Sequence, residues 1–294
     1  MLTRPLGDTG LRTSVLGFGA MQAGDPGLPE RRAEQLLNGV LDLGIGLIDT
    51  ARSYGLSEER IGRYLARRRD EFVLSTKVGY GISGCADWTP ECIRRGVEEA
   101  RQRLRTDVID IVHLHSCPAE VLADQRLSDA LQDTRDAGKI RIAAYSGDGD
   151  ALRHALATGQ FGAVQISFNL VDQDNMRSQG SQQAFDGIGV IAKRTLAGAP
   201  WALGEPPAGS PEACYRERFA DLEAVVGHVD DWADVALRFA AFSDGVNAVL
   251  VGSTRLGHLE ENIRAMARGP LPRGVVKRLR EAYVATGRGW SSIV

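Results

Sequence analysis

Short runs of aliphatic and β-branched residues alternate along this chain with longer stretches whose apolar residues recur every three or four positions, the pattern of strands followed by helices. Ahead of the first run, Gly7-Asp8-Thr9-Gly10 predicts the turn of an N-terminal β-hairpin. Strands are expected at Leu16–Ala20, Leu47–Thr50, Phe72–Val78, Ile109–His115, Ile140–Ser146, Ala163–Phe168, Gly189–Thr195 and Ala248–Ser253. Helices are expected between them. One carries Ala33, Leu36, Leu37, Val40 and Leu41 at helical spacing and stops at Gly44; one starts at Ser57, a capping residue, with Ile61 and Leu65 buried; one opens on Thr89-Pro90. Others run from Val121 to Ala137 and start near Ala151, Ser181, Trp232 and Leu256, with an additional C-terminal helix from Val275. Ala197–Ala213, rich in Gly and Pro, is expected to form a long loop.

Eight strand–helix repeats with no linker predict one α/β domain over residues 1–294, a (β/α)8 TIM barrel with an N-terminal β-hairpin and an extra C-terminal helix. A hydrophobic content of 43% supports a substantial core. A net charge of -3 argues against general attraction to nucleic acid or anionic membranes, and no window is apolar enough to span a bilayer. Arg4, Asp8 and Arg12 interrupt the N-terminal apolar residues, and the four cysteines form no Cys-x-x-Cys pair, so a reducing, cytoplasmic setting is expected. Oligomeric state is open.

In such barrels chemistry sits at the C-terminal ends of the strands. Asp49, Lys77 and His115 fall at the ends of three successive strands, and Tyr54 follows on the loop after Asp49. A lone Asp–Lys pair is most often structural, and a lone Tyr mostly packs; their joint placement suits carbonyl reduction. Hydride arriving at a carbonyl carbon leaves charge on oxygen that must receive a proton. A phenol, with a reference pKa of about 10, supplies it more readily beside an ammonium. Lys77 is expected to acidify Tyr54, Asp49 to hold Lys77, and His115 to hydrogen-bond the substrate oxygen.

At these residues the chain resembles the aldo-keto reductase family. The likeness is carried by Leu16-Gly17-Phe18-Gly19, Ile48-Asp49-Thr50-Ala51 with Tyr54-Gly55, Ser75-Thr76-Lys77, Asp110 through His115, Gly138-Lys139-Ile140-Arg141, Gln165 with Asn169-Leu170, and Glu261-Asn262. The resemblance implies that Asp49, Tyr54, Lys77 and His115 are the catalytic tetrad. It also implies a nicotinamide dinucleotide extended across the barrel mouth, with Ser146 and Gln165 near its carboxamide. Gly19, Ala20, Met21, Asp49, Lys193, Arg194, Thr195 and Leu196 are expected along its path. Gly252, Ser253, Thr254, Arg255, His258, Glu261 and Asn262 are expected at the adenosine phosphate, where a helix N-terminus near Leu256 favours anions.

Three departures stand out. Gly147 replaces a common asparagine, and Lys193-Arg194 stand where an aromatic ring often stacks on the nicotinamide, so a cation is expected to meet a cofactor phosphate or substrate anion. His258 occupies the usual 2′-phosphate arginine position, leaving Arg255 as its substitute; NADPH is the expected cofactor, NADH the other possibility. The substrate is a small carbonyl or alcohol, and Tyr54, His115, Trp88, Cys117, Phe168 and Trp201 are candidate pocket walls.

Gly79-Tyr80-Gly81-Ile82-Ser83-Gly84 matches a dinucleotide fingerprint but lacks an immediate helix, so it reads as a loop. His113 and His115 suggest a metal-dependent barrel hydrolase as an alternative, although the other histidines lie away from strand ends and no metal is expected. A non-catalytic nucleotide-sensing subunit is the third reading.

Overall fold

A computed structural model of the chain describes residues 1–177, 185–202, 204–287, 290 and 293. The hairpin strands β1 (Thr3–Pro5) and β2 (Arg12–Ser14) pair antiparallel. The next strands are β3 (Leu16–Gly19), β4 (Leu47–Asp49), β5 (Val73–Val78), β6 (Ile109–His115), β7 (Ile140–Ser146), β8 (Ala163–Ser167), β9 (Gly189–Lys193) and β10 (Ala248–Val251). All eight pair in parallel, and β10 closes the ring by bonding both β9 and β3. The fold is therefore a (β/α)8 barrel, as its alternating pattern predicts. Several strands end one or two residues earlier than expected, at Gly19, Asp49, Ser167, Lys193 and Val251, where the chain leaves the ladder to form mouth loops.

Helices α1 (Glu30–Asp42), α2 (Ser57–Leu65) and α3 (Pro90–Leu104) bury the apolar stripes seen in the sequence. Thr89 caps α3 by accepting from Cys92 N at 3.2 Å, but Ser57 is not a cap: its hydroxyl donates to Ala20 O at 2.9 Å. The helix expected over 121–137 is broken into α4 (Ala119–Leu122) and α5 (Gln125–Asp136), because the Asp124 carboxylate accepts from Arg126 N and starts a new helix. Beyond α6 (Gly149–Thr158) and α7 (Asp174–Arg177), the helix expected near Ser181 lies outside the described residues.

The segment expected to be all loop to Ala213 contains the start of α8 (Pro211–Val226), whose cap is Ser210, accepting from Ala213 N at 3.2 Å. Helices α9 (Trp232–Ala241), α10 (Leu256–Ala267) and α11 (Arg273–Thr286) complete the chain.

Two apolar clusters hold the fold. The larger lies between sheet and helices; the smaller fills the lower barrel with Leu47, Ile111, Ile142, Ala144, Ala163, Ile191, Ala248 and Leu250, joined by Leu6 of the hairpin. Leu6 is wholly buried, worth about 1.5–3 kcal/mol, and corks the end opposite the mouth. Above this dry floor the inward positions turn polar. Asp49 registers with Ser75, Lys77 with His113, and His115 with Ser146, which registers with Gln165. Among the described residues no helix is long and apolar enough to cross a membrane.

Candidate active site

Three strands and one loop bring the polar residues together. Lys77 Nζ donates to Asp49 Oδ2 at 2.6 Å and to Thr50 O at 2.8 Å, with both side chains buried. Asp49 Oδ1 accepts from Ser75 Oγ and Gln165 Nε2, each at 2.8 Å. The carboxylate is thus fixed by side chains from two strands, β5 and β8, and it fixes the ammonium. Burial opposes the charge on Lys77, but Asp49 and then Tyr54 outweigh it and hold the ammonium above its ordinary pKa.

Tyr54 reaches Lys77 through a tightly wound loop. Thr50 Oγ1 donates to Ser57 Oγ at 2.7 Å, Tyr54 N to Ala51 O at 3.0 Å, and Leu56 N to Gly24 O at 2.9 Å. A Cβ on Gly24 would stand 1.7 Å from Tyr54 O, so only glycine permits this approach. The result places Lys77 Nζ 4.9 Å from the centroid of the Tyr54 ring, and the Tyr54 ring edge-on to His115 with centroids 6.0 Å apart.

The two histidines of β6 occupy different layers. His115 faces the cavity, and burial, then Lys77 and Lys193, push its pKa down to about 3, so it is neutral at physiological pH. His113 lies wholly buried below it, 3.0 Å from Ser75 Oγ. Among the described residues no group of three or more His, Cys, Asp or Glu is placed to hold a metal ion. Burial pushes His113 down from the ordinary imidazole value of 6.5 to about 4. The unfolded chain therefore takes up this proton first on acidification. Stability fully present above 6.5 should be lost as pH falls through about 4, by roughly 3 kcal/mol from this residue. Urea titrations across that window should show the loss, and His113→Asn should reduce it by about that amount while the share due to His115 persists; an unchanged slope would remove His113 as a cause.

These groups open into a mouth cavity of about 890 Å³. Of the residues expected around a cofactor, Gly19, Met21, Asp49, Ser146, Gln165, Lys193, Arg194, Thr195, Leu196, Gly252, Ser253, His258, Glu261 and Asn262 line it. Ala20 does not, being wholly buried; Thr254 and Arg255 are exposed outside its walls. Of the expected substrate walls, Tyr54, His115 and Trp201 line it. Cys117 and Phe168 are corrected. Ser116 has φ 58°, which breaks the strand alternation, and Cys117 lies in the sheet–helix core, where burial pushes its thiol up to about 12. Phe168 stacks on Phe239 in the same layer. Trp88 packs against Tyr80 rather than lining the cavity.

Two of the three departures acquire local explanations. A Cβ on Gly147 would meet Tyr145 Oη at 2.3 Å, so the Tyr145 ring occupies the place a larger residue needs. Lys193 is turned to Asp148 at 3.1 Å, and that carboxylate also accepts from Ser167 N, Ser167 Oγ and Asn175 Nδ2. Burial lowers the pKa of Lys193, with Asp148 opposing the shift. Arg194 bonds Ile293 O and Ser167 Oγ. Both cations thus already have protein partners at the cavity wall.

Gln22, Ser53, Ser116, Pro211, Glu212, Tyr215 and Ala233 also line the cavity and were not foreseen. The Ser210-Pro211 start signal could have revealed the α8 members, Ala233 lies in the first turn of α9 and Gln22 in a short 3-10 turn; Ser53 and Ser116 sit on loops whose paths no periodicity encodes.

A model of the aldo/keto reductase family matches residues 15–284. An L-galactose dehydrogenase from Arabidopsis thaliana is 29% identical, covering 90% of this chain and 87% of its own length. A D-threo-aldose 1-dehydrogenase from a Pseudomonas species is 28% identical, covering 93% and 95%. Among solved structures, an aldo-keto reductase from Bacillus halodurans in its holo form superposes with a TM-score of 0.82 at 24% identity, covering 96% of both chains.

Proposed function

Because the chain belongs to the aldo/keto reductase family, and so to the NAD(P)H-dependent oxidoreductases, we propose that it reduces the aldehyde or keto group of a small polar substrate, sugars foremost, with Tyr54 as proton donor. The observation that carries this reading is the buried Lys77 ammonium, clamped by Asp49 and lying against Tyr54 beside an open cavity. The sugar preference follows the two dehydrogenase relatives.

The donor set suits a nicotinamide dinucleotide. Neutral hydrogen-bonding groups, Ser146 and Gln165, lie beside the tetrad, and α10 begins without any side-chain cap, which leaves the N–H groups of Leu256 and Gly257 for a phosphate. Gln165 and Ser146 would hold the carboxamide; Ser253, His258 and Asn262, with Arg255 at the rim, would hold the adenosine end. When bound, the reduced cofactor supplies a hydride to the substrate carbonyl carbon. Tyr54 gives its hydroxyl proton to the developing alkoxide, and Lys77 stabilises the phenolate left behind. Asp49 keeps Lys77 charged and aimed. His115, neutral, orients the carbonyl oxygen by a hydrogen bond.

Oxidation of NADPH and NADH against aldehydes, ketones and sugars tests the proposal. Turnover with NADPH preferred is expected; tight NADPH binding without oxidation across the panel would sink it in favour of nucleotide sensing. Arg255→Ala should weaken NADPH binding about fivefold to tenfold and NADH less than about twofold, as loss of one charge-assisted contact implies. Equal effects in calorimetric titrations would mean that the 2′-phosphate is read elsewhere.

A further inference from the structure

The loop after β5 carries a side chain that this mechanism leaves unused. Tyr80 stacks on the His115 ring, with centroids 5.5 Å apart and an interplanar angle of 25°. Its hydroxyl lies 2.8 Å from His115 Nδ1. Trp88 packs edge-on against Tyr80 at 5.7 Å, its backbone N–H donates to Gly79 O at 2.7 Å, and its ring fills the space a Cβ on Gly79 would need. Tyr80 is therefore held from one side by an indole while it holds the imidazole on the other.

We propose that Tyr80 is a positioning residue for His115: its hydroxyl donates to Nδ1, fixes the tautomer that carries its proton on Nε2, and so presents the substrate oxygen with a donor. A neutral imidazole has one donor and one acceptor nitrogen, and the partner of one decides the role of the other. Nδ1 has Tyr80; among the described residues no protein group bonds Nε2, and the ring borders the cavity. Tyr80 has a single hydroxyl proton to place. Its other acceptor, Ser53 Oγ, is 3.3 Å away and exposed, where water can replace it. The shorter contact takes the proton. Since His115 is neutral at working pH, its two nitrogens differ, and an uncorrected tautomer would aim a lone pair at the carbonyl oxygen.

The role assigned to the Nε2 proton rests on the reductase reading above, but the tautomer itself does not, and can be measured without cofactor or substrate. Long-range ¹H–¹⁵N correlation spectra of the labelled full chain near neutral pH report the protonation of each ring nitrogen, and His115→Asn identifies its signals among those of the five histidines. The wild type should show His115 protonated on Nε2 with bare Nδ1. Tyr80→Phe keeps the stack and removes one oxygen; it should shift His115 toward a mixture of tautomers. With glyceraldehyde as probe, kcat should fall about fivefold to tenfold, the worth of one neutral hydrogen bond, with the Kd for NADPH within about twofold. A wild-type His115 protonated on Nδ1, or a tautomer unmoved in Tyr80→Phe, would overturn the positioning role. A moved tautomer with unchanged kcat would overturn the link to the substrate oxygen alone.

Discussion

Replacing Tyr54 by phenylalanine is expected to lower turnover about 10²- to 10⁴-fold while the Kd for NADPH changes less than about twofold. The ring, its contact with Lys77 and the loop around Gly24 survive that change; only the proton donor is lost. Steady-state rates and fluorescence titration of NADPH separate the two effects. Turnover near that of the wild type would remove Tyr54 from the chemistry, and a large loss of cofactor affinity would recast it as a binding residue.

The second large effect concerns stability as much as rate. Lys77 and Asp49 have side-chain exposures of 1% and 4%. Removing one charge strands the other in a low-dielectric interior, at a cost of about 3–5 kcal/mol. Asp49→Asn and Lys77→Met should each lose that much, measured by urea unfolding. The double variant should recover most of it, because neutral side chains of similar volume carry no uncompensated charge. Asparagine also retains an oxygen for Ser75 and Gln165. Activity should stay at background in all three. Strictly additive losses would show that the pair is not coupled, and active double variants would show that the ammonium is dispensable.

What the sequence could show depended on whether a residue obeys a period. The barrel strands are legible because each is a compact aliphatic run, and β6 and β7 match their expected limits. Asp49, Lys77 and His115 could be placed together because strand alternation and the parallel order of neighbours decide which side chains point inward. The same rule failed where the period ends. Ser116 takes a left-handed conformation, so counting onward by twos misdirects Cys117. For Phe168 the rule itself holds and speaks against a pocket wall: it follows Ser167, which shares the inward side with Gln165 and Ala163, and so belongs to the opposite, helix-facing layer. Helix α8 escaped notice because it buries only Tyr215, Arg218, Phe219 and Leu222, a thin and partly charged stripe. Tyr80 lay inside a glycine-rich segment set aside as a loop, and nothing in its spacing links it to His115 across β5 and β6.

The Leu6 cork bears on more than packing. With Leu6 and its apolar cluster beneath, the chamber around the ammonium opens at the entrance that the dinucleotide and substrate would themselves block. On the proposed mechanism, the charge growing on the carbonyl oxygen would then be answered by fixed protein groups instead of by mobile water. Leu6, more than forty residues ahead of Asp49 and Tyr54, would thereby take part in setting the polarity in which the proton moves.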